Sequence, residues 1–220
     1  MHPQYPGPLP VLAQGTGWII VAKPPRILVH RNKRMRREYA ALQRVRDQVG
    51  QFVYPIHRLD RQASGCLLFA LDRTMAGPLS IALREGKKQY VAFVRGTFQH
   101  NGAVVVDNPM RDDNQILKEA HSVVRCLGRS TTPRCSLLEV LPTTGRYHQV
   151  RRHVRDLTHP IIGDREHGDS HVNRWWRENS SVNRLGLHCL SLSFTLPSGE
   201  DIKVTCPLFS DQADTYRTLP

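Results

Sequence analysis

Three segments of the chain gather side-chain types that can do chemistry. In His57-Arg58-Leu59-Asp60-Arg61-Gln62-Ala63-Ser64-Gly65 one carboxylate stands between two guanidinium groups. Nearby cations favour the ionised carboxylate, which is the form a nucleophile or a general base needs. An aspartate ahead of a strand also serves as a turn or capping residue, so both uses stay open at this point. In Thr144-Gly145-Arg146-Tyr147-His148-Gln149-Val150-Arg151-Arg152-His153 a glycine gives tight entry to a polar run at the start of a predicted helix. Arg151 and Arg155 share one face there, with His148 and Arg152 on an adjacent one. That face suits phosphate contacts, and it equally suits plain solvation. In Lys87-Lys88-Gln89-Tyr90-Val91-Ala92-Phe93-Val94-Arg95-Gly96 a tyrosine begins an apolar strand, where taken alone it reads as core.

A fourth segment, His159-Pro160-Ile161-Ile162-Gly163-Asp164-Arg165-Glu166-His167-Gly168-Asp169, is rich in histidines and acids. His167 and His171, with Asp164 and Asp169, are ligand types for a divalent ion. Gly168 and the lack of an apolar stripe argue against a helix that would align the two histidines. The sequence also offers no second ligand cluster of defined spacing, so no metal is expected. It contains no GxxxxGK[ST], GxGxxG or GxSxG pattern. Nucleoside-triphosphate, dinucleotide and serine-hydrolase chemistry thereby lose their usual supports, and no cofactor is expected.

The elements that must position these residues can be read in outline. Residues 1–16 begin with four prolines in the first ten and are expected to form a loose arm. Gly17 to Ala22 reads as a first strand stopped by Lys23-Pro24-Pro25. Arg26 to Arg37 carries six basic residues and no acidic one, and Tyr39, Leu42, Val45 and Val49 then mark a helix ending at Gly50. Strands are predicted over 66–71, 90–94, 103–106, 119–126, 134–141, 190–196 and 202–205. Helices are predicted over 75–83 and 148–157. Many strands with few helices and no steady βαβ rhythm point to an α+β protein with a mixed, largely antiparallel sheet. No linker is evident, so 17–220 is expected to be a single domain.

Composition narrows the class of function. Lysine and arginine total 31 against 19 aspartate and glutamate, and 25 of the 31 are arginine. Arginine's planar fork matches phosphate and stacks on bases, so an RNA or DNA partner is favoured. No apolar run approaches the length of a membrane span, and the first residues lack the pattern of a signal peptide. The five cysteines are widely spaced with no CxxC pair, which suits reduced thiols in the cytoplasm.

The ordered set HRLDRxxSG at 57–65, KxY at 88–90 and GRxHQxRxH at 145–153 resembles the RluA-type pseudouridine synthases. The HPIIGD run at 159–164 and Leu187-His188 fit the same order, so the resemblance runs from about Trp18 to Pro207. VRDQVGQ at 45–51, GRYHQVRRH, and HPIIGDREHGD followed by Asn173 look most like the tRNA pseudouridine synthase C branch. That branch modifies uridine 65 in the T-stem of tRNA. The resemblance implies the pseudouridine synthase fold and an isomerase that needs no cofactor and no metal.

By the same resemblance, Asp60 is the catalytic aspartate. Tyr90 is the tyrosine that stacks on the target base and a candidate for proton transfer. Arg151 is the arginine that pairs with the catalytic carboxylate. Arg58 would fill the gap left by a flipped base, and Leu187 would be an apolar wall of the pocket. His57, Arg61, Arg146 and His148 are expected at the RNA. Whether Asp60 attacks C1′ or removes the 2′ proton stays open. The expected partner is tRNA, with ribosomal RNA as the alternative substrate and a non-catalytic RNA-binding protein as the alternative class. A cytoplasmic monomer is expected, with no membrane and no obligate protein partner. One departure stands out: Gln62-Ala63 precedes Ser64-Gly65, where the family usually has a threonine before that pair. The stretch between Val106 and Arg134 is also short for the tRNA branch.

Overall fold

The computed structural model describes residues 7–31, 38–112, 114–180 and 183–217. The predicted basic stretch over 26–37 therefore falls partly, at 32–37, outside the described residues. In chain order the first elements are β1 (Val11–Gly15), β2 (Trp18–Lys23), α1 (Ala41–Val49), β3 (Tyr54–Pro55), β4 (Ser64–Ala70), α2 (Arg73–Glu85) and β5 (Lys87–Arg95). Then come β6 (Val104–Val106), β7 (Met110–Arg111), β8 (Leu117–Lys118), β9 (Ser122–Thr131), β10 (Arg134–Pro142) and α3 (Gln149–Asp156). The last are α4 (Ser170–Asn179), β11 (Leu187–Thr195), β12 (Asp201–Thr205) and α5 (Ser210–Arg217). The chain forms two compact units, Met1–Lys87 with Cys189–Pro207, and Lys88–His188 with Leu208–Pro220.

In the first unit the strand order is β1-β2-β4-β11, with β12 paired to β11 and β3 to β4. Every residue of β2 and β4 is buried, which is why both read as continuous apolar runs without alternation. They pair antiparallel with Lys23 opposite Gly65, so β2 extends one residue past its predicted stop. Gly65 has φ +118, and a Cβ there would lie 2.2 Å from the carbonyl oxygen of Cys189. The close approach of β4 and β11 thus requires glycine. Asp72 caps α2 by accepting from the Thr74 N–H, worth about 1 kcal/mol, and the helix buries Leu79 and Leu83.

Residues 1–6 of the expected loose arm lie outside the described residues, and residues 7–16 differ from it. Val11–Gly15 pairs antiparallel with β2, and Leu9 is buried. Gln48 of α1 accepts from the Leu9 N–H at 3.0 Å and donates to the Leu9 carbonyl at 3.1 Å. The edge of β2 needs a partner for its backbone groups, and this segment supplies one despite its prolines.

In the second unit β5, β10, β9 and β6 lie in that order, each pair antiparallel, and β7–β8 form a separate small pair. Two helices here have no apolar stripe and were not predicted. The α4 helix buries only Trp176, which meets Phe93 edge-on with ring centroids 4.9 Å apart. Asp169 caps it by accepting from the N–H groups of His171 and Val172. The α5 helix places Tyr216 at 5.3 Å from the same Phe93, and Asp211 holds buried Arg184 through bonds of 2.6 and 3.0 Å. The class is α+β with mixed, mostly antiparallel pairing and flanking helices, as the strand pattern predicts.

Candidate functional site

In the first unit the 57–65 segment is tied to its surroundings through the His57 ring and through main-chain carbonyls. His57 Nε2 accepts from the Leu68 N–H at 3.2 Å, which fastens the start of the loop to β4. Leu59 is buried, while Arg58 is exposed and Asp60 is half-buried. The Ala63 N–H donates to the Asp60 carbonyl at 3.1 Å and closes a turn just after the carboxylate. Arg61 Nε lies 3.3 Å from Glu38 Oε1, an ion pair whose side chains are 38% and 19% exposed. Ala63, Ser64 and Gly65 are all buried, so the end of the motif is scaffold.

Sequence reasoning missed the main support of this loop. Lys23 is 0% exposed, and its Nζ donates to the carbonyls of Pro24 and Ile27 at 2.9 Å and of Arg61 at 3.3 Å. An ammonium group in the interior is costly unless it is hydrogen-bonded, and these carbonyls supply its partners. One of them belongs to the residue that follows Asp60. The only signal in the sequence was a lysine ending an apolar run.

In the second unit the 145–153 motif is a polar network rather than a solvated face. Gln149, the first residue of α3, uses both ends of its amide. Its Oε1 accepts from Thr144 Oγ1 at 2.7 Å and from the Arg146 N–H at 2.9 Å. Its Nε2 donates to the His121 carbonyl at 2.9 Å and to Ser122 Oγ at 3.1 Å. One turn on, His153 Nδ1 lies 2.8 Å from the same Ser122 hydroxyl, and its Nε2 lies 3.4 Å from the Asn108 carbonyl. Burial pushes the His153 pKa below the usual histidine value, against the opposing pull of that carbonyl. Arg146 is exposed, and its Nε donates to the Glu119 carbonyl at 2.7 Å.

Arg151 is buried, and Asp164 grips it with two bonds of 2.7 Å to Nε and Nη2. The sequence marks Asp164 as part of a polar loop and as a ligand type, and carries no sign of its pairing with Arg151. Asp164 is 1% exposed and also accepts from the N–H groups of Glu166 and His167 at 3.0 Å each. Burial alone would raise its carboxyl, but the Arg151 guanidinium and those two N–H groups outweigh it and hold the pKa below the usual range. The grip leaves Nη1 of Arg151 outside the fork while fixing the plane of the guanidinium. Asn173 completes the support: its Oδ1 accepts from the Gly163 N–H and its Nδ2 donates to the Asp164 carbonyl, both at 2.7 Å. At Gly163, with φ +82, a Cβ would sit 2.0 Å from the Arg184 carbonyl oxygen.

His148 precedes α3 in the left-handed region with φ 53, an uncommon conformation for a residue with a side chain. Tyr147 stacks on its ring at 3.7 Å between centroids. Its Nδ1 lies 3.1 Å from His167 Nε2 and 3.4 Å from Glu166 Oε2. Among the described residues, this trio is the group of ligand types that converges, and exposed His171 on α4 is not part of it. Tyr90 lies in β5 opposite Val140 and is 8% exposed. Leu187 opens β11 and is 4% exposed. Of the predicted site residues, then, His57, Arg58, Asp60 and Arg61 share one loop of the first unit. Arg146, His148 and Arg151 cluster around the start of α3 in the second, which also holds Tyr90 of β5 and Leu187, the first residue of β11.

Comparison with known proteins gives a consistent picture. The family model described as RNA pseudouridylate synthase matches residues 17–156. The tRNA pseudouridine synthase C of Pasteurella multocida is 39% identical over 212 residues, covering 86% of each chain. That of Haemophilus ducreyi is 38% identical over 224 residues, covering 93% of this chain and 92% of its own. Among solved structures, human RNA Pseudouridylate Synthase Domain Containing 1 superposes with a TM-score of 0.76 at 23% identity, covering 94% of this chain and 86% of its own. Human RNA Pseudouridylate Synthase Domain Containing 4 gives 0.74 at 21% identity, covering 94% and 92%. These two likenesses concern the fold.

Proposed function

The chain belongs to the RNA pseudouridylate synthase family, and on that premise we propose that it converts uridine 65 in the T-stem of tRNA to pseudouridine. The reaction is an isomerisation. N1–C1′ breaks, the uracil turns, C1′–C5 forms, and the proton given up at C5 is matched by one gained at N1. No electron is gained or lost, so the residues need only bind, orient, and either move protons or bond C1′ transiently.

Asp60 is the carboxylate that acts at the sugar, and the half-buried loop that carries it is compatible with that work. Arg151 acts as the cation that keeps the reacting carboxylate ionised, a role that its fixed guanidinium plane suits. Tyr90 is the platform on which the detached base turns, with stacking worth roughly 1–3 kcal/mol. A uridine within a stem must leave its stack at a cost of a few kcal/mol, and Arg58 takes the space it vacates. His57, Arg61, Arg146 and His148 contact the RNA, and Leu187 walls the pocket. The excess of arginine offsets part of the flipping cost through phosphate contacts. We propose further that 17–220 works as one catalytic domain, as a cytoplasmic monomer that requires neither metal nor cofactor. No helix among the described residues is long and apolar enough to cross a membrane.

What carries this reading is the identity of 39% over 86% of the chain to a tRNA pseudouridine synthase C, with the ordered motifs retained. Site-by-site pseudouridine mapping of total RNA, with and without the protein, tests it. A signal lost only at position 65 of tRNA is the expected result. A signal lost from ribosomal RNA transfers the activity to that substrate, and no lost signal overturns the assignment.

A further inference from the structure

We propose that His148, Glu166 and His167 form a binding site for a divalent transition-metal ion, with zinc the ion they fit best. The site lies within the second unit, and the isomerisation itself calls for no metal. Zinc takes imidazole nitrogens and carboxylate oxygens at roughly 2.0–2.2 Å in a tetrahedron, which sets neighbouring ligand atoms about 3.3–3.4 Å apart. His148 Nδ1 lies 3.1 Å from His167 Nε2 and 3.4 Å from Glu166 Oε2, and all three ligand atoms fall within 4.8 Å of one another. Glu166 is exposed, so its side chain can close the remaining gap and the ion can enter from that side.

The surroundings fix the donors as a metal site requires. Tyr147 stacks on the His148 ring, and the backbone of Glu166 and His167 is tied to Asp164. Arg151 Nη2 lies 3.8 Å from Glu166 Oε1, which leaves Oε2 directed at His148. Supporting shells of this kind orient ligands and raise metal affinity. Asp164 is paired with Arg151, and the Glu166 carboxylate, 3.8 Å from the same guanidinium, would offset part of the ion's charge. Two ligand histidines nineteen residues apart at the start of a helix and in a following loop form no recognisable sequence spacing.

Zinc titration of the chelator-stripped full-length protein, in competition with a chromophoric chelator at about pH 7.5, tests the site directly. One ion should bind. Glu166→Gln and His167→Ala should each weaken binding by about tenfold or more, and the double variant by about a hundredfold or more. Cobalt(II) in place of zinc should show the intense visible absorption of a four-coordinate nitrogen and oxygen site. A thiolate-to-cobalt charge-transfer band instead would assign the ion to the cysteines and overturn the proposal. So would undiminished binding in the double variant. A wild-type titration without uptake would overturn it as well, leaving a simple hydrogen bond between the two histidines.

Discussion

The loop that carries Asp60 and the motif that opens α3 are both rich in polar residues, yet they are built on opposite plans. Around Asp60, two ties end on main-chain carbonyls, the Ala63 N–H to that of Asp60 and Lys23 to that of Arg61, and the His57 ring accepts from the Leu68 N–H. Around α3 the ties run through side chains, with Gln149, Ser122, His153, Arg151 and Asp164 spending their polar atoms on one another or on nearby backbone. A tie that ends on a main-chain carbonyl does not depend on the side chain that residue carries. A network of buried side chains does, because each lost member leaves a partner without its hydrogen bond.

The sharpest way to break this contrast is Asp60→Asn. Pseudouridine formation should fall by about a thousandfold or more, with RNA affinity and the urea midpoint near those of the wild type. A variant that turns over at the normal rate would remove Asp60 from the chemistry. Arg151→Met should lose both turnover and stability. It leaves Asp164 buried without its cation, at a cost of about 3–5 kcal/mol readable in urea unfolding. If only turnover fell, the pair would not be the anchor it is described as here.

Lys23→Met sharpens the other side. Its carbonyl partners lose their donor and the turn after Asp60 can shift, so turnover should drop by about tenfold or more while the dissociation constant for RNA stays close to normal. An equal loss in both measurements would mean that Lys23 supports the whole unit rather than this loop. Gln149→Ala should cost about 1–3 kcal/mol in unfolding free energy, since donors and acceptors on both sides are left unsatisfied.

The smallest effect is in pH dependence. The folded chain lowers the His153 pKa, so the unfolded chain takes up the proton more readily. Stability contributed by neutral His153 is therefore present above the ordinary histidine value and is lost as pH falls through the lowered one. His153→Gln should flatten the slope of unfolding free energy below about pH 6.5, where the wild type declines. His167 has the same sign, so the slope should be reduced and not abolished.

Much of the fold could be read from the sequence where burial leaves an apolar run. The continuous stretches of β2, β4 and β5 are visible because both faces are covered, and the alternation before Pro197 marks β11 because one face is polar. The hidden elements are those held by one or two contacts. The α4 helix depends on Trp176 against Phe93 and on the Asp169 cap, and α5 on Tyr216 and the Arg184–Asp211 pair, so neither shows a stripe. The motif residues were identifiable as a set, but their division of labour was not. Gln149 and His153 look as suited to RNA as Arg146 does, and only their partners assign them to the scaffold. Lys23 and Asp164 were hidden for the converse reason: charged residues beside a proline or within a polar loop read as solvated, and both are buried.

Gly65, pressed against the main chain of Cys189, has a consequence at the level of the gene. A glycine codon changed at either of its first two positions always encodes a residue with a Cβ or a stop. Every such change at this position would drive a carbon into a neighbouring strand, while every third-position change that keeps glycine is silent. The position therefore has no mild allele one mutational step away. At this point a lineage can only stay where it is.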